Sequence, residues 1–153
     1  MDAATNPSPS DPRLTVFYCQ RCCGPQPAGA CGGAHSRFVE GCAADVDATR
    51  LEGAYADGAD GVMVIGCLGS ACRKREREVD AFLRIHAGTV VLHRLGLHPV
   101  RLRRHWLSPR EAATVPALVT AFRRRLVTLN ARREARGAQA QPAAPLKVQA
   151  AQA

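Results

Sequence analysis

The stretch Gly61-Val-Met-Val-Ile-Gly66 decides how the rest of the chain is read. It holds no charged or polar side chain, and it runs from Ala59-Asp60 straight into Cys67. A strand with one wet face alternates apolar and polar residues, whereas an unbroken apolar run suits a strand covered on both faces, as in a parallel sheet. Working outward, Asp45-Val-Asp47 offers N-cap carboxylates to a helix running through Tyr55, and Gly58 closes it as left-handed C-caps do. Further back, residues 14–18 (LTVFY) form a short apolar strand, and residues 36–39 (SRFV) a weaker one that leads to Cys42. On the other side, the charged run 73–80 opens a helix whose apolar positions Val79, Phe82, Leu83 and His86 follow helical spacing. That helix is expected to absorb the β-branched Thr89-Val-Val-Leu92, run to Leu95 and end at Gly96. Residues 100–106 (VRLRRHW) alternate apolar and basic residues, as an edge strand with one solvated face would. Ser108-Pro-Arg-Glu111 then reads as a capping box with proline at the first helical position. The last helix carries Val115, Leu118, Val119, Phe122 and Leu126 on one face, and Pro116 should kink or divide it.

The order strand, strand, helix, strand, helix, strand, helix predicts an α/β fold: a small three-layer domain with a mostly parallel, Rossmann/flavodoxin-like sheet. The chain has 153 residues, enough for one domain over residues 13–136 that needs no covalent staples. Residues 1–12 and 137–153 are rich in Ala, Pro, Gln and Ser and read as disordered N-terminal and C-terminal tails. No apolar run reaches the roughly 18–20 residues of a membrane span, and the polar stretch after Met1 does not read as a signal segment. The seven cysteines form an odd set confined to the first half, which fits thiols in a reducing cytoplasm. A net charge of +8 suits an acidic protein face, nucleic acid or anionic lipid.

Five thiols fall where the predicted strands end. Cys19 and Cys22 follow the first strand, Cys42 the second, and Cys67 and Cys72 the third. In open α/β sheets the functional crevice lies beyond the carboxyl ends of the strands, so loops from neighbouring strands can meet at one centre. Ionised thiols held together repel one another unless a cation neutralises them. Cys19-x-x-Cys22 has the spacing of a zinc knuckle. Cys67-Leu-Gly-Ser-Ala-Cys72 has the four-residue gap of a plant-type iron-sulfur motif, with small residues whose amides could tune a cluster. A dithiol redox site at Cys19 and Cys22 is a third reading, and spacing alone leaves all three open.

The runs FYCQRCC, GCAADVD, GADGVMVIGCLGSACRK and RLRRHWLSPREA together resemble the delta subunit of methyl-viologen-reducing hydrogenases, a family that includes iron-sulfur subunits accompanying heterodisulfide reductase. The resemblance covers residues 14 to about 130, and the block from Gly58 to Cys72 is its most specific part. It implies a domain with one 2Fe-2S cluster that relays electrons between a hydrogenase or formate dehydrogenase module and a flavin-containing reductase subunit. Family cysteines match Cys19, Cys22, Cys42, Cys67 and Cys72, one more than a four-ligand cluster uses. The surroundings differ: Asp45 stands where the family usually has arginine, and Leu68-Gly-Ser-Ala71 where it usually has His-Pro-Gly-Asp.

Other residues have simpler readings. Cys23 and Cys31 match no family ligand and read as small buried hydrophobes. His35, His93, His98 and His105 read as surface or backbone-satisfied, His86 as part of an apolar helical face, and Trp106 as packing. The basic runs 73–77, 101–104 and 123–125 supply positive surface for an acidic partner. Aromatics are scarce, so base stacking has few candidates and no nucleic-acid partner is expected. The resulting expectation is a cytoplasmic electron-transfer subunit without bond-making chemistry of its own. The alternative is a structural zinc protein that docks an acidic partner or RNA.

Overall fold

The computed structural model describes residues 11–19, 36–68, 72 and 78–139. Four strands, β1 (Leu14–Tyr18), β2 (Ser36–Glu40), β3 (Gly61–Cys67) and β4 (Leu102–Leu107), form one sheet in the order β2-β1-β3-β4. Every pairing is parallel, so the mostly parallel sheet expected from the sequence is wholly so. Among the described residues three α-helices cover it: α1 (Ala48–Ala56), α2 (Glu78–Arg94) and α3 (Val115–Gln139). The tail residues 1–10 and 140–153, together with Cys22, Cys23, Cys31, His35 and the basic run 73–77, lie outside the described residues.

Alternation along the strands sorts the two cores. Val16 and Tyr18 of β1 join Met63 and Ile65 of β3 on one face, where Val115, Val119, Phe122 and Leu126 of α3 seal them. Phe17, Val62 and Val64 face the opposite way, onto Leu51 and Ala54 of α1 and Ile85, Val91 and Leu92 of α2. The four α3 side chains alone contribute on the order of 6–12 kcal/mol at 1.5–3 kcal/mol each, an upper figure because the unfolded chain already hides some apolar surface. The apolar run at β3 is therefore buried from both sides, for the reason its composition indicated.

Local signals act as expected at most boundaries. The Asp47 carboxylate accepts the Arg50 amide at 2.9 Å and caps α1, while Asp45 instead ends a short 3-10 turn over Ala43–Asp45. Gly58 (φ 89°) follows α1 and Gly96 (φ 65°) follows α2, both left-handed. After α2 the Leu97 amide returns to the Leu92 carbonyl at 2.8 Å, the six-to-one bond of a glycine-terminated helix. The Glu111 carboxylate accepts both the amide (2.9 Å) and the hydroxyl (2.8 Å) of Ser108. These bonds close a 3-10 helix over Pro109–Thr114 rather than the first α turn. Pro116 divides the segment as expected: it is the second residue of α3, where its missing N–H costs nothing.

Two sequence readings need correction. On α2 the stripe named from periodicity faces outward: Val79 is 66% exposed, Leu83 59%, and His86 is exposed beside the Arg104 guanidinium. The Phe82 side chain is outside the described set. The buried face is Ile85, Gly88, Val91 and Leu92. A Cβ on Gly88 would lie 2.6 Å from Leu51 and 2.8 Å from Leu102, so the helix sits down on α1 and β4 through a glycine that carries no hydropathy signal. The second correction is Arg101. It is no surface member of a basic run but 4% exposed, and it donates to the Asp60 carbonyl and the Asn130 side-chain oxygen, both at 2.8 Å.

Candidate functional site

The carboxyl edge of the sheet carries Cys19, Cys42 and Cys67. Tyr18, the last residue of β1, pairs with Glu40 on one side and Ile65 on the other. Cys19 directly follows Tyr18, and Cys42 and Cys67 each lie two residues past Tyr18's partners. They therefore flank the end of β1 at nearly one height, and the strand spacing separates their backbones by roughly 10 Å with Cys19 between them. The strand order reverses direction between β1 and β3, which makes this edge the switch point where open parallel sheets place ligands.

Short-range bonds hold the edge together. The Gly41 amide donates to the Tyr18 carbonyl at 2.9 Å, which ties the loop carrying Cys42 to the end of β1. The Leu68 amide donates to the Leu107 carbonyl at 3.0 Å and extends the β3–β4 ladder past Cys67. Cys19 and Cys67 pack against the same apolar cluster, that of Tyr18, Ile65 and Leu107. Cys42 opens the 3-10 turn whose Ala43 belongs to the opposite core. Cys72 is half-buried, and Cys22 falls outside the described residues. Among the described residues, no three His, Cys, Asp or Glu side chains stand close enough to hold one metal ion. Cys19 and Cys67 thus each pack on one core, and Cys42 lies two residues past the end of the neighbouring strand.

The donor chemistry fits a thiolate-bound metal or cluster. Cys19, Cys42, Cys67 and Cys72 are all partly buried thiols, none of them in a disulfide. Partial burial gives a centre both insulation and access. On the far side of β3, Trp106 closes the floor: a Cβ on Gly66 would meet its ring at 2.0 and 2.3 Å and Ala43 at 3.1 Å. Gly66 must be glycine for the indole to lie there, which bears out Trp106 as packing.

Arg50 is the residue that sequence reasoning missed. Its guanidinium lies 3.7 Å from the position a Gly41 Cβ would take, beside the residue preceding Cys42. Arg50 thus brings a cation to the loop of Cys42 from the first turn of α1. Its place three residues after the Asp47 cap was the available signal. His105, on β4, is partly buried; desolvation first, and the nearby Arg103 charge second, hold its pKa below the ordinary imidazole value. His98 accepts the Val100 amide at 3.2 Å through Nδ1, the backbone-satisfied role expected of it. No described helix is long and apolar enough to cross a membrane.

Comparison with known proteins identifies the family. The family model for the methyl-viologen-reducing hydrogenase delta subunit matches residues 15–130. One of the subunits of the ferredoxin:CoB-CoM heterodisulfide reductase of Methanosarcina mazei is 32% identical over 81 residues, 53% of this chain and 10% of that protein. The iron-sulfur subunit of an F420-non-reducing hydrogenase from Archaeoglobus profundus is 32% identical over 81 residues, covering 53% of this chain and 59% of that protein. The matched segment thus spans less than two thirds of either relative.

Proposed function

Because the chain belongs to the methyl-viologen-reducing hydrogenase delta-subunit family, we propose that it is a cytoplasmic electron-transfer subunit built around one 2Fe-2S cluster. Its partners on this reading are a hydrogenase or formate dehydrogenase type module on one side and a flavin-containing, heterodisulfide-reductase-like subunit on the other. The observation that carries the proposal is that Cys19, Cys42 and Cys67 stand at or within two residues of the carboxyl ends of three adjacent parallel strands. Cys22 and Cys72 complete the set of five from which four ligands would be drawn. Such a cluster, when bound, exchanges single electrons.

The protein's own part is ligation, insulation and docking. Tyr18, Ile65 and Leu107 shield Cys19 and Cys67 from the α3 side. Trp106 and Ala43 shield the other face at Gly66, and Arg50 places positive charge near an anionic centre. A partner protein has an apolar surface to cover at the same end. Leu68, directly after Cys67, is 49% exposed, and Val79 and Leu83 present bare side chains on the first turns of α2, soon after Cys72. An isolated monomer gains nothing from displaying them, whereas the electron acceptor would bury them as it approached the thiols.

Anaerobic reconstitution with iron and sulfide tests the reading. The expected product is a coloured protein with about two iron and two sulfide per chain and a paramagnetic signal on one-electron reduction. Cys67→Ser should lower the iron retained. A colourless protein holding about one zinc and no sulfide would instead establish the structural-zinc alternative.

A further inference from the structure

A second site stands at the opposite end of the sheet, where the strands begin. A cavity of about 440 Å³ opens between the α2–β4 connection, which contributes Leu97, His98 and Arg101, and the last turns of α3, which contribute Arg132, Arg133 and Arg136. Among the described residues, no aspartate or glutamate lines it. From this arrangement we propose that the cavity binds a small polyphosphate anion, such as pyrophosphate or the diphosphate of a nucleotide. The inference is independent of the iron-sulfur reading.

Three observations support it. First, Arg101 is a fixed anchor: it is 4% exposed and held by the Asp60 carbonyl and Asn130 at 2.8 Å. Those two bonds use two of the five N–H donors of a guanidinium. Second, the positive charge is only partly compensated, by a single carboxylate. Asp60, the carboxylate that faces Arg101, stands 3.9 Å away, and no described carboxylate forms an ion pair with Arg132, Arg133 or Arg136. Burial lowers the Arg101 pKa; Asp60 opposes that fall, and repulsion from Arg133 adds to it. An anion between them turns this repulsion into two attractions. Third, His98 accepts the Val100 amide through Nδ1, which puts the ring proton on Nε2 as a donor.

Size and shape narrow the ligand. The volume lies within the roughly 300–1,000 Å³ of small-molecule sites. Planar guanidinium forks match the paired oxygens of phosphate groups. Several forks around one concavity favour a compact anion of several charges over an extended acidic peptide.

The test uses the full chain, with thermal unfolding and calorimetric titration against inorganic pyrophosphate and, separately, ADP, at ionic strength held constant with sodium chloride. Saturable stabilisation is expected with both ligands. Arg133→Ala/Arg136→Ala should weaken binding at least tenfold while leaving the unliganded unfolding temperature nearly unchanged, because both side chains are exposed. Equal affinity for the two ligands assigns the site to the phosphates alone, and tighter ADP binding assigns it to a nucleotide; either result supports the proposal. Stabilisation that sodium chloride reproduces, or that the double variant retains in full, overturns it, as does the absence of saturable binding.

Discussion

Gly66→Ala is the smallest change that tests the packing at the thiol end. The added methyl would occupy a point 2.0 Å from Trp106 Cζ3 and 2.3 Å from Cε3, about an ångström inside any real contact, with the Ala43 methyl 3.1 Å away. The backbone at Gly66 is fixed by the ladder to β4, where it pairs with Trp106 itself. The indole must therefore swing outward. If it loses roughly 100 Å² of contact, at 25 cal/mol per Å², the cost is about 2.5 kcal/mol. That is within the usual range of about 1–3 kcal/mol for overpacking. For a domain of this size it corresponds to a fall of roughly 5–10 °C in melting temperature. Trp106 is the only tryptophan, so its emission reports the displacement directly. Gly53→Ala is the control: it lies inside α1 with nothing within 4 Å of the new methyl, and should stabilise by roughly 0.5–1 kcal/mol through helix propensity. The double variant Gly66→Ala/Trp106→Leu should be less destabilised than the sum of its singles, since the clash partner is gone. An unchanged melting temperature and unchanged tryptophan emission in Gly66→Ala would refute the reasoning.

Two further outcomes follow from the buried and titrating groups. Arg101→Met should destabilise by about 3 kcal/mol, because it removes the donors to Asn130 and the Asp60 carbonyl and leaves the Asp60 carboxylate without its cation; urea unfolding measures this, and a loss below about 0.5 kcal/mol would contradict the burial described. His105 is held neutral by desolvation and by Arg103, so its folded pKa lies below its unfolded value of about 6.5. The unfolded chain takes up that proton first, so the contribution is complete above pH 6.5 and is lost as pH falls through the window beneath it. His105→Gln should flatten that part of the stability profile, and an identical slope in the variant would exclude His105 as its source.

Much of this architecture is legible locally. The apolar run at β3, the Asp47 cap and the glycines at 58 and 96 each act through contacts within a few residues and produce the element their chemistry indicates, while the Ser108–Glu111 pair caps a 3-10 helix in place of an α turn. The α2 stripe fails because helical spacing shows that faces exist without showing which one is buried. Val79, Leu83 and His86 are as periodic as Ile85, Val91 and Leu92, and the deciding contact is Gly88 against Leu51 and Leu102. Arg101 fails for a related reason: a cation belongs inside only when distant partners receive it, and Asn130 and Asp60 are 29 and 41 residues away.

Sequence alone determined that strands alternate with helices and that Cys19, Cys42 and Cys67 each stand at or just beyond a strand's end, because extended and helical periods and turn residues are properties of short segments. Only the tertiary structure decided that β1 lies between β2 and β3, so that Cys42 and Cys67 flank Cys19 at nearly one height, that Arg50 reaches the loop before Cys42, and that Arg132, Arg133 and Arg136 share a cavity with Arg101. Strand order and side-chain meetings across dozens of residues depend on which buried surfaces fit together, and no local pattern encodes that fit.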